Sequence, residues 1–187
     1  MARVIFSYWQ SAQKSPANFV QNYLLTLSRN GAIIIIVNER EVMTMSTMFV
    51  TIGMPGCGKS TWAQTKNARV ISSDAIREEM FGDEAIQGDP RKVFAEVYKR
   101  LAQALIDDVD VIFDATNLDY KRAKAIEMCY EMDCECVAVY FDVDAQTCIE
   151  RQNMRSRKVP ASVIRRMSHQ LVVPYLEEGW TRIEKVS

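Results

Sequence analysis

"TIGMPGCGKSTWAQ" (51–64) is the stretch on which the reading of this chain turns. Residues 53–60 complete the pattern G-x-x-x-x-G-K-S. They follow the apolar run "MFVTIG" (48–53) and precede a segment expected to turn helical near Lys59. Strand, glycine loop and helix form the context in which this pattern grips phosphate. Gly53, Gly56 and Gly58 open backbone conformations that a Cβ would close. Successive N–H groups then converge on phosphate oxygens at a helix N-terminus. The candidate cradle is thus Gly53, Met54, Pro55, Gly56, Cys57, Gly58, Lys59, Ser60 and Thr61. Lys59 offers a mobile cation to the β and γ phosphates, and Ser60 offers a hydroxyl to Mg²⁺. The expected ligand is a nucleoside triphosphate with its magnesium. Cys57 reads as a small filler residue, since a reactive thiol needs exposure and a lowered pKa.

Outward from the loop, short apolar runs alternate with amphipathic stretches. "ARVISS" (68–73) reads as a second strand and "DAIREEMFG" (74–82) as a short helix. In 88–108 the spacing of Val93, Val97, Leu101 and Leu105 predicts a longer helix, with Asp89 as its cap and Pro90 in its first turn. "VDVIFD" (109–114) and "ECVAVYFD" (135–142) read as strands separated by a helix over about 119–132. Helices over 144–155 and 160–172 and a last strand, "WTRIEKV" (180–186), complete the pattern. Such alternation predicts an α/β fold: a three-layer sandwich with a central parallel sheet, helices on both faces and a helical lid. Ligands of these sheets bind at the carboxyl ends of the strands. Gly53, Asp74, Asp114 and Asp142 all fall near such ends.

Those ends supply candidate chemistry. Asp74 is placed to accept a hydroxyl proton, and Arg77, one helical turn on, falls on the same side. The plainer alternative is a capping aspartate beside a solvated arginine. Asp114 closes an apolar strand on an acid, the pattern of a Walker B element, and would hold Ser60 or a magnesium-bound water. Thr116 and Asn117 follow as polar groups at the mouth of the sheet, or as an ordinary loop and helix cap. The run "RQNMRSRKVPASVIRR" (151–166) holds six basic residues and no acid. Arg151 and Arg155, four apart, are expected on one helical face, where they would close over a transferred phosphoryl group. A solvated charged face is the ordinary alternative. Asp142 and Asp144 superficially resemble a phosphatase D-x-D motif, but Asp144 reads more simply as the cap of the following helix.

Bulk properties set limits. In 187 residues, 23 Lys plus Arg against 24 Asp plus Glu leave a net charge of −1, so any basic surface is local. Five cysteines and no recognisable signal peptide point to reduced thiols and a cytoplasmic location. Cys129, Cys134 and Cys136 lie close in sequence. With His169 the only histidine and no second cysteine pair at ribbon spacing, they read as buried thiols rather than zinc ligands. The longest apolar run, "AIIIIV" (32–37), is far short of the roughly 20 residues that span a bilayer, so no membrane partner is expected.

The pieces "GMPGCGKSTWA", "ISSDAIREEMFGD", "VIFDATNLDYKRAKAI" and "IERQNMRSRKVPASVIRRM" occur in the order found in the phage and bacterial polynucleotide 5′-kinases. Residues 48–186 resemble that P-loop family. The resemblance implies ATP-dependent transfer of the γ-phosphate to a 5′-hydroxyl of DNA or RNA, with Mg²⁺. By position, Lys59 and Ser60 match the phosphate and magnesium residues and Asp74 the general base. Arg77 matches the arginine that holds the acceptor's neighbouring phosphate, and Arg151 and Arg155 match the lid pair. "FDATNL" departs from members in which the acid directly precedes Thr-Asn, so the role of Asp114 carries over less directly. The polynucleotide 5′-end is the expected acceptor. A small-molecule hydroxyl of nucleoside, sugar or antibiotic type is the alternative, and a non-catalytic ATP-binding module is a third reading. The basic run lacks interleaved aromatics for base stacking.

Residues 1–47 carry no recognisable motif, and the kinase domain is expected over 48–187. "ANFVQNYLLTLS" (17–28) is expected to form a helix and "AIIIIV" a strand at the sheet edge. Alternatively, Arg40-Glu41-Val42, encodable as AGG-GAG-GTN, resembles a ribosome-binding purine run upstream of a start at Met45.

Overall fold

The computed structural model describes residues 23–27, 33–37, 45–83, 86, 88–118, 122–155 and 158–187. The chain divides into two units, Met1–Thr44 and Met45–Ser187. In the first, β1 (Tyr23–Leu27) pairs antiparallel with β2 (Ile33–Val37), Tyr23 opposite Val37 and Leu27 opposite Ile33. Two sequence expectations are corrected here. Tyr23–Leu27 is a strand, not part of a helix, and the isoleucine run pairs with it in a separate two-stranded sheet rather than extending the main one. A β-branched run offers a ready cross-strand partner, which outweighs modest helix propensity. The intervening sequence also carries Asn30-Gly31, a hairpin signal.

The second unit runs β3 (Thr47–Ile52), α1 (Lys59–Ala63), β4 (Arg69–Ser72), α2 (Ser73–Phe81), α3 (Pro90–Ile106), β5 (Val111–Asp114), α4 (Ala123–Glu131), β6 (Glu135–Phe141), α5 (Ala145–Asn153), α6 (Ala161–Gln170) and β7 (Arg182–Val186). A short 3₁₀ turn, Leu176–Glu178, precedes β7. The five strands lie in the order β4-β5-β3-β6-β7, and every pairing is parallel. All five therefore point their carboxyl ends the same way, and the loops leaving β3, β4 and β5 open side by side.

Period-two alternation divides the core. Met48, Val50 and Ile52 of β3 and Cys136, Ala138 and Tyr140 of β6 face one layer, with Val93, Val97 and Leu101 of α3 and Ala125 and Cys129 of α4. Val137, Val139 and Phe141 of β6 face the other, with Cys148 and Ile149 of α5, Ile164 of α6 and the flank of Trp62 in α1. Each aliphatic side chain removed from water in this way contributes about 1.5–3 kcal/mol. Caps fix the helix starts: Ser72 for α2, Asp89 with Pro90 for α3, and Asp144 for α5. The Asp144 carboxylate accepts from the Thr147 N–H at 2.9 Å, as its capping reading requires.

Helix α6 changes sides. Val159, Ala161, Ile164 and Met167 pack in the layer shared with α5, whereas Leu171 packs in the opposite layer. One residue later the Val172 N–H donates to Leu118 O, in the loop leaving β5 (2.8 Å). The helix thus passes over the carboxyl end of the sheet, the end where Gly53, Asp74 and Asp114 lie.

Candidate active site

The loop after β3 is held from both directions. The Gly53 N–H donates to Thr116 O at 3.1 Å, and the Cys57 N–H turns back to Met54 O at 3.2 Å. Gly58 has φ +108°, and α1 begins at the next residue, so the left-handed residue aims the first N–H groups of the helix back at the loop. Lys59 Nζ lies within the loop, donating to Gly53 O (3.0 Å) and Met54 O (2.9 Å). Pro55 is half-buried, and Ser60 and Thr61 are exposed. The Cys57 thiol is buried, and burial pushes its pKa up against the opposing charge of Lys59. It is a packed, protonated thiol, consistent with a filler role.

Asp114 ends β5 directly beside β3. Its Oδ2 accepts from Ser60 Oγ at 3.2 Å, while Thr51 Oγ1 approaches Oδ1 at 3.4 Å and donates toward Ala115 O at 3.1 Å. Burial raises the Asp114 pKa above the ordinary aspartate value. The charge of Lys59 and the Ser60 hydrogen bond oppose that rise, and Asp74 adds to it. Lys59, Ser60, Asp114 and Asp74 are therefore close enough to act electrostatically as one cluster. A hydroxyl and a carboxylate are hard oxygen donors of the kind Mg²⁺ takes, so Ser60 and Asp114 fit that ion. Among the described residues Thr116 and Asn117 cap no helix, and α4 takes Arg122 as its N-cap. Asn117 is buried with φ +45°, and its Nδ2 donates to Thr51 O at 3.0 Å, tying the exit of β5 to β3.

Asp74 lies on the first turn of α2, where β4 pairs Ser72 against Asp114. Ser72 is the cap, which frees the Asp74 side chain; its Oδ1 accepts from Arg77 Nη1 at 2.6 Å. The reading as a capping aspartate beside a solvated arginine does not describe the pair. The Asp74 side chain is 57% exposed, whereas Arg77 is only 9% exposed and its Nε is buried without a hydrogen-bond partner. A buried guanidinium N–H left unpaired is costly.

The two lid arginines part company. Arg151, in the last turn of α5, donates from Nη1 to Cys57 O at 3.4 Å and so sits against the phosphate loop. Arg155 does not share its helical face, because α5 ends at Asn153. The Arg155 N–H instead closes a tight turn onto Gln152 O at 3.1 Å, just past the end of α5. Among the described residues, neither Arg155 nor Lys158, Arg165 or Arg166 forms an ion pair. The sequence reading passed over Thr51, Arg122 and Gln152. A threonine inside the apolar run 48–53 was the available signal for the first; the other two are buried polar groups whose sequence context is unremarkable.

A parallel sheet in this order, with a phosphate loop at its centre and a carboxylate on the adjacent strand, defines a P-loop fold of the kinase type. The chain belongs to the AAA domain family, whose profile matches residues 48–174. It is similar to the L-seryl-tRNA(Sec) kinase of Methanococcus maripaludis, 24% identical over 143 residues that cover 71% of this chain and 55% of that protein. Among solved structures, the Pnkp1/Rnl/Hen1 RNA repair complex matches with a TM-score of 0.63 at 20% identity, over 72% of this chain and 46% of the other. Kti12 of Chaetomium thermophilum in complex with ADP-AlF3 matches with a TM-score of 0.59 at 14% identity, over 75% and 88%. The chain spans about half the length of the first two proteins. At these identities the structures establish the fold.

Proposed function

We propose that this chain transfers the γ-phosphoryl group of ATP to the 5′-hydroxyl of a polynucleotide. The observation that carries the reading is the Asp74–Arg77 pair: an exposed carboxylate beside a buried guanidinium with an unpaired N–H, one strand from the Ser60–Asp114 contact. A 5′-terminal nucleoside bearing a 3′-phosphodiester presents a hydroxyl and an anion together, and the pair complements both. The names of two relatives, a seryl-tRNA kinase and a component of an RNA repair complex, lend support from nucleic-acid substrates. Arg155, Lys158, Arg165 and Arg166, which form no ion pair among the described residues, suit a polyanion as well.

In this reading the loop N–H groups and Lys59 bind the triphosphate. Ser60 and Asp114 would hold Mg²⁺, which supplies charge neutralisation to the phosphates. Asp74 accepts the proton of the acceptor hydroxyl as its oxygen forms a bond to the γ-phosphorus. The bond from that phosphorus to the β–γ bridging oxygen breaks, and ADP leaves with the electron pair. Arg151 and Arg155 stabilise the charge on the transferred group.

The test is incubation with γ-labelled ATP and, separately, a 5′-hydroxyl oligonucleotide, nucleosides and sugars. Label on the oligonucleotide is the expected outcome, and label confined to a small molecule refutes the acceptor assignment. Asp74→Asn is expected to bind ATP normally while kcat falls roughly 10²–10⁴-fold, the usual worth of a general base. Normal turnover by that variant removes Asp74 from the role.

A further inference from the structure

Among the described residues of the basic run, one polar side chain is buried. Gln152, between Arg151 and Arg155, is 4% exposed. Burying an amide is unfavourable unless it is hydrogen-bonded, and a merely solvated loop needs no such group at its base. Three contacts account for its position. Its Oε1 accepts from the Val159 N–H at 3.4 Å, just before α6 begins. Its backbone carbonyl accepts the Arg155 N–H, where the loop leaves α5. Its Cγ lies against Gly56 of the phosphate loop: a Cβ built on Gly56 would stand 3.0 Å from it and 2.5 Å from Cys148 O. Gly56 also has φ +91°. Here the phosphate loop and α5 approach so closely that only glycine fits, with Gln152 at the point of contact.

We propose that Gln152 is a positioning residue that joins both ends of the 153–159 segment to the phosphate loop at Gly56, and so sets where Arg151 and Arg155 meet the donor phosphates. The proposal rests on residues 53–60 being an ATP loop, but not on the identity of the acceptor. Gln152 touches no reacting atom. Its effect passes through the arginines, whose charge matters most as the phosphoryl group moves. Loss of the side-chain acceptor therefore lowers kcat and leaves ground-state nucleotide binding, made by loop N–H groups and Lys59, nearly intact. Displacements near 1 Å cost on the order of 10²-fold in rate.

Gln152→Met keeps the length and bulk of the side chain and removes the acceptor. Three measurements on the full chain test it: exchange of the Val159 amide by NMR without nucleotide, binding of the non-hydrolysable analogue AMP-PNP with Mg²⁺, and kcat for phosphoryl transfer. Val159 exchange should accelerate at least about 10-fold while Val97 and Leu101 in α3 are unchanged. AMP-PNP affinity should stay within about 3-fold, and kcat should fall about 10–100-fold. Gln152→Glu, which puts a carboxylate oxygen in place of the amide oxygen as acceptor for Val159, should restore slow exchange there. Unchanged Val159 exchange in Gln152→Met overturns the proposal, as does a loss of AMP-PNP affinity equal to the loss in kcat. Failure of the wild-type chain to bind AMP-PNP refutes the ATP-loop reading instead, because the exchange measurement needs no nucleotide.

Discussion

Removing the carboxylate of Glu178 should destabilise the Met45–Ser187 unit out of proportion to an ordinary ion pair. Arg122, at the start of α4, is 2% exposed. Its Nε donates to Glu178 Oε2 at 2.6 Å, its Nη2 to Glu178 Oε1, and its Nη1 to Val172 O at 2.7 Å. Glu178 also accepts from Trp180 Nε1 at 3.3 Å and from the Tyr175 N–H at 3.3 Å. Glu178→Leu strands a buried guanidinium with one carbonyl partner. Two charge-assisted bonds at about 1.5–3 kcal/mol each are lost, and breaking one side of a buried pair generally costs about 3–5 kcal/mol. For a domain of this size, about 2–4 °C of Tm is lost per kcal/mol, so the melting temperature should fall by roughly 6–20 °C. The assay is urea and thermal unfolding followed by Trp fluorescence. Glu79→Gln, which breaks the exposed Arg100–Glu79 pair, serves as a control expected to change little. The double variant Arg122→Met/Glu178→Leu should recover much of the loss, because no unpaired charge remains inside. A loss below about 1 kcal/mol for Glu178→Leu would refute the argument that burial makes this pair costly to break.

Two further outcomes follow from the site. Burial raises the Asp114 pKa, so in the metal-free protein its contribution to stability is fully present below the ordinary aspartate value and is lost as pH rises through the raised one. The stability of wild type relative to Asp114→Asn should therefore decline with rising pH and stop declining when Mg²⁺ is added; a pH-independent difference in metal-free unfolding curves would contradict the burial argument. Arg77→Ala should impair an acceptor carrying a 3′-phosphate far more than a bare nucleoside in kcat/KM, and equal losses on both would remove Arg77 from the acceptor site.

Where periodicity and burial coincide, the sequence was transparent. The four-residue spacing of Val93, Val97 and Leu101 is the buried stripe of α3, and the apolar runs around Val50 and Val139 are the central strands. The glycine loop was legible because its residue types are dictated by backbone geometry. Pairings that depend on depth were not. The spacing of Asp74 and Arg77 gives adjacency, but not that the arginine is buried and the carboxylate exposed. The same spacing rule misplaced Arg155, because nothing local marks the end of α5 at Asn153. Tyr23–Leu27 was misjudged for a related reason: its conformation is set by a partner strand rather than by its own propensity. Arg122 found its carboxylate 56 positions away, beyond the reach of any window.

Helix α6 is fastened at both ends to opposite sides of the sheet, through Val159 and Ile164 on one and Leu171 and the Val172–Leu118 hydrogen bond on the other. A span with two abutments cannot swing like a door. Hinged opening of the whole helix would tear apolar side chains from one layer or the other, so its freedom is limited to small sliding or rolling.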